Sequence, residues 1–81
     1  MESKVFRTVR EFHKEYNNLR EDILKRHGVK KGQPARLVKA IILVQRINNE
    51  WVETTSAKSH MVDRIKRYVE LGAEFKLKSL V

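Results

Sequence analysis

Seven basic side chains, Lys25, Arg26, Lys30, Lys31, Arg36, Lys39 and Arg46, stand between Ile23 and Glu50 with no carboxylate among them. Nearly all of the formal net charge of +8 on 81 residues therefore comes from one central third of the chain. A block of like charge repels itself unless a polyanion lies against it, and the economical polyanion is a nucleic-acid backbone. Lys30, Lys31, Arg36 and Lys39 form a candidate phosphate site. Gly32 lets the backbone approach a phosphate closely, and Pro34 suits the first turn of a helix whose positive end could face it. The Gly-x-x-x-x-Gly-Lys-Ser/Thr pattern of a P-loop is absent, so capture here is electrostatic. If about five of these bases neutralise phosphates on duplex DNA, log K falls against log salt with a slope of about −4 to −5.

A second basic group lies further on. Lys58, Arg64, Lys66 and Arg67 crowd one short segment, with Arg64 and Arg67 three residues apart and Met61 and Ile65 on the expected core side. The polar entry Ser56-Ala57-Lys58-Ser59-His60 brings small hydrogen-bonding side chains to a helix N-terminus, capped by Ser56 or Ser59, and Asp63 is expected in the first turn. The stretch Ser59-His60-Met61-Val62-Asp63-Arg64-Ile65-Lys66-Arg67-Tyr68-Val69-Glu70-Leu71-Gly72-Ala73 resembles the recognition helix and exit of helix-turn-helix and winged-helix DNA-binding domains. That resemblance implies a helix lying in or beside the major groove, with His60, Arg64 and Arg67 facing bases or phosphates and Lys58 on the backbone. It also leaves room between Ile47 and Ser59 for only a short polar helix, anchored by Trp51, Val52 and Ala57.

Catalytic chemistry finds little support. His13, His27 and His60 are far apart and lack the i, i+4 pairing or cysteine companions of a metal site, so no metal and no cofactor are expected. Glu11, Glu15, Glu21 and Asp22 lie among Lys14, Arg20 and Lys25, which reads as solvated ion pairing. With no cysteine, neither a disulfide nor a thiolate site can staple so short a chain, and its core must be thin. The N-terminus alternates charged and apolar residues unlike a secretory signal, and the longest apolar run, Ala40–Val44, is far short of a membrane span; an intracellular, cytoplasmic protein without membrane contact is expected.

The elements that must position these bases follow from periodicity. Val5, Val9, Phe12, Tyr16, Leu19 and Ile23 recur at alternating spacings of four and three, which predicts a long helix from Ser3 to His27, capped by Ser3 and stopped at Gly28. Either this seam packs on its own domain, or part of it pairs with a second copy as a homodimer. A second helix is expected over Pro34–Asn48, with Leu37, Ala40, Ile41, Val44 and Ile47 on one face. The alternative over residues 41–55 is a hairpin, with Ile41–Val44 as a buried strand and Asn48-Asn49 as its turn. A third helix runs from Ser59 to Leu71 and ends at Gly72, and Glu74–Val81 alternates as a short strand or extended arm.

The expected protein is thus mainly α: one basic domain over residues 1–81, with a helix-turn-helix-like core at 34–73. Its expected role is to bind nucleic acid, duplex DNA before RNA, as a regulator of transcription or an accessory factor. Trp51, outside any clear periodic face, packs on the second helix, stacks on a base or anchors a protein contact. The competing reading is a small basic module that docks on an acidic protein surface, in the manner of virus-encoded modulators of host machinery.

Overall fold

A computed structural model describes residues 2–26 and 41–80. The elements are α1 (Val9–Arg26), β1 (Ile41–Ile47), β2 (Glu50–Thr55), α2 (Lys58–Tyr68), a single 3-10 turn at Val69–Leu71, and β3 (Phe75–Ser79). The three strands form one antiparallel sheet in the order β2-β1-β3. The fold is therefore α+β, and the mainly α expectation is wrong.

The error lies in residues 41–48. Ile41, Leu43, Val44 and Gln45 are buried, so β1 has apolar or enclosed side chains on both faces, and a strand buried twice shows none of the alternation that would distinguish it from a helix. Asn48 and Asn49 decide the matter locally, because both take positive φ (52° and 66°) and join Ile47 to Glu50 in a two-residue hairpin turn. Asparagine tolerates that left-handed backbone, and turns of this twist match the twist of the strands they join. The hairpin alternative at 41–55 is what the chain adopts. The earlier part of the expected second helix, residues 34–40, lies outside the described residues.

α1 begins later than expected, at Val9 and not at Ser3. Thr8 caps it: its hydroxyl oxygen accepts from the Glu11 N–H (3.2 Å) and its hydroxyl donates to Glu11 Oε1 (3.0 Å), while the Arg7 N–H donates to the same carboxylate (3.3 Å). This Thr-x-x-Glu arrangement is a variant of the capping box in which the carboxylate reaches the Arg7 N–H in place of the Thr8 N–H. Ser3 instead belongs to an extended lead-in that runs antiparallel along β3. The Ser3 N–H donates to Leu77 O and the Leu77 N–H to Ser3 Oγ, both at 2.8 Å, and Phe6 exchanges backbone bonds with Phe75. The lead-in covers the β3 edge of the sheet, while the opposite edge, β2, carries the exposed carboxylates of Glu50 and Glu53. Charges on an edge strand discourage pairing with another chain.

Both helices and the lead-in share one core. Phe6 joins Phe12, Tyr16, Leu19 and Ile23 of α1, Met61 and Ile65 of α2, and Ile41, Leu43, Phe75 and Leu77 from one face of the sheet. Four of the six residues of the heptad seam are thus enclosed by their own chain. Val9 is half-buried, and Val5 lies before the helix with 47% exposure. Among the described residues no helix is long and apolar enough to cross a membrane.

Candidate nucleic-acid interface

α2 is anchored by Met61 and Ile65, both fully buried. Its start is set by the end of β2. Neither Ser56 nor Ser59 caps it; Ala57 occupies that position without a side-chain bond, and its N–H donates to Thr55 Oγ1 at 3.2 Å. One residue earlier, a bulge between Leu43 and Val44 leaves Thr54 as the extra residue of β2, and its hydroxyl donates to Leu43 O at 2.7 Å. At the far end, Gly72 (φ 70°) stops the helical run and donates its N–H to Val69 O, as a left-handed glycine does.

Between β2 and α2 lies a shallow groove of roughly 290 Å³, lined by Thr54, Thr55, His60, Asp63, Arg64 and Arg67. Three of the expected contact residues, His60, Arg64 and Arg67, therefore meet in one place. Arg64 is not opposite the core as expected. It is half-buried and folds back on the sheet, where its Nε–H donates to Gln45 Oε1 at 2.6 Å and its guanidinium lies 5.3 Å from the centre of the Tyr68 ring. Asp63 lies beyond the first turn and lines the groove, so it does not complement the helix dipole as supposed. Lys58 stands away from the groove, its ammonium 4.7 Å above the Tyr16 ring of α1. Lys30, Lys31, Arg36 and Lys39 lie outside the described residues.

Charge separates this region from the opposite sheet face. α2 carries Lys58, Arg64, Lys66 and Arg67 against the single carboxylate Asp63, and among the described residues none of the four cations is in an ion pair. On the sheet face, Arg46 pairs with Glu74 (3.5 Å), Lys76 with Glu2 (3.0 Å) and Lys78 with Glu53 (4.0 Å). Lys76 also sits 4.5 Å over the Trp51 ring, and its hydrogen bond and charge hold the Glu2 carboxyl below the usual carboxylate range. Trp51 thus packs on this open face of the sheet, not on a helix.

Gln45, Thr54 and Thr55 were missed in the sequence. The only signal was Gln45 as the lone uncharged polar side chain in the run Ile41–Ile47, in phase with Ile41 and Leu43 if that run is a strand. Among the described residues no group of three or more histidine, aspartate or glutamate side chains could hold a metal ion. Compared with protein-family models, curated proteins and solved structures, the chain matches none.

Proposed function

We propose that the chain binds nucleic acid, duplex DNA foremost, through the groove side of α2, and serves as a regulatory or accessory protein. The observation that carries this reading is the contrast in charge: among the described residues, four cations on an 11-residue helix lack carboxylate partners, while those of the sheet face have them. Unpaired surface cations are the ones free to displace counterions from a phosphate backbone. At about 16 Å, α2 has a length suited to a major groove. Duplex is favoured over single strands because, among the described residues, no phenylalanine, tyrosine or tryptophan lines the groove, and Trp51, 37% exposed, is on the other side of the sheet.

The test is titration of duplex DNA, single-stranded DNA and RNA at several salt concentrations. The two groove arginines alone give a slope of log K against log salt of about −2, with duplex bound most tightly. A slope near zero contradicts the reading. Docking on an acidic protein surface is the second reading, and the exposed apolar side chains Val69 (40%) and Leu71 (77%) in the 3-10 turn after α2 favour it.

A further inference from the structure

Gln45 is 4% exposed, on the helix-facing side of the central strand, beside the hydrophobic core and opposite Phe75 in the sheet. A buried amide is costly there unless its polar atoms are satisfied, and the Arg64 Nε–H satisfies its oxygen at 2.6 Å. A guanidinium held at Nε keeps its two terminal nitrogens free, side by side, the fork that matches a phosphate. The guanidinium carbon also lies 5.3 Å from the centre of the Tyr68 ring, a cation–π contact that adds a second hold on the side chain. The partner is a neutral amide and not a carboxylate, so Arg64 is oriented while its charge is left uncancelled.

The other lining groups divide into those engaged and those free. The Thr54 hydroxyl is donated to Leu43 O, whereas Thr55 Oγ1 accepts from Ala57 and keeps its own proton to donate. With histidine counted as neutral, the groove holds two guanidiniums, Arg64 and Arg67, against the one carboxylate of Asp63. That leaves one net positive charge, suited to a phosphodiester and less to a dianionic monoester. We infer that the groove seats a single phosphodiester of a nucleic-acid backbone, and that Gln45 is the positioning residue that aims Arg64 into it.

This inference rests on the nucleic-acid reading, and one experiment separates the two. Duplex DNA is titrated at several salt concentrations with the full chain and with Gln45→Met, Gln45→Glu and Arg64→Lys, each checked for folding by circular dichroism, while the Arg64 Nε–H is followed by NMR. Gln45→Met keeps the charge and frees the side chain, so binding weakens about 3- to 10-fold and the Nε–H loses its protection from exchange. Gln45→Glu keeps the grip and cancels the charge, so the Nε–H stays protected while the salt slope shrinks by about 0.9. Arg64→Lys, a substitution at a half-buried surface position, loses the fork and weakens binding with the slope unchanged. Inorganic phosphate shifts the Arg64 resonance far less than DNA does. If the unaltered chain shows no salt-dependent binding, the nucleic-acid reading itself falls. If it binds and Gln45→Met binds as well as it does, Gln45 positions nothing, whatever Arg64→Lys does. If inorganic phosphate perturbs Arg64 as strongly as DNA, the groove is a seat for free phosphate, and the assignment to a backbone is overturned.

Discussion

On the sheet face Arg46, Lys76 and Lys78 each lie within 4.0 Å of a carboxylate, whereas around α2 the half-buried arginine is held by an amide and, among the described residues, its basic neighbours form no ion pair. The bases on the two sides differ in what they have been given to do. Exposed pairs such as Lys78 and Glu53 contribute little to stability, but they cancel one another's field and leave that face with slight attraction for a polyanion. The α2 side keeps its field. Counting basic residues along the chain would treat the two regions alike; only their partners distinguish them.

The largest way to break this contrast is to undock α2. Ile65→Ala removes a fully buried anchor and is expected to cost about 2–5 kcal/mol of unfolding free energy, read by denaturant titration, and the groove is lost with it. A smaller change sharpens the contrast. Asp63→Asn removes the groove's one carboxylate and should tighten duplex binding about 2- to 5-fold, with stability nearly unchanged.

The smallest effect lies on the paired face. The Glu2 carboxyl is held below its ordinary range by Lys76, so its contribution to stability is present above the ordinary carboxylate pKa and is lost as pH falls through that range and below it. Thermal midpoints measured down an acid series should show that added loss in the unaltered chain and not in Lys76→Gln. Equal acid sensitivity in the two proteins would contradict the pairing.

Much of the helical half could be read in the sequence. The spacing of Phe12, Tyr16, Leu19 and Ile23 identified the buried stripe of α1, Met61 and Ile65 identified that of α2, and Gly72 marked where the 3-10 turn that continues α2 must stop. The sheet was less legible because its evidence is non-local. β1 pairs with β3, whose residues lie some thirty positions later, and nothing within Ile41–Ile47 announces that partner. The start of α1 was misread because Val5 continues the helical spacing and Ser3 is a credible cap. The stronger signal was Thr8-x-x-Glu11, and β3 gave the preceding residues an alternative set of backbone bonds. At the site, His60, Arg64 and Arg67 were visible as a cluster. Gln45 was not, because its role depends on a contact across 19 residues.

The central claim is that polyanion binding resides on the α2 side and not on the sheet. Its most direct test compares Arg64→Gln/Arg67→Gln with Lys76→Gln/Lys78→Gln, two double variants that remove the same formal charge, in duplex titrations across a salt series. The α2 pair should lower affinity about tenfold or more and reduce the salt slope by about 1.8, while the sheet pair leaves both near those of the unaltered chain. Equal losses from the two pairs would contradict the account.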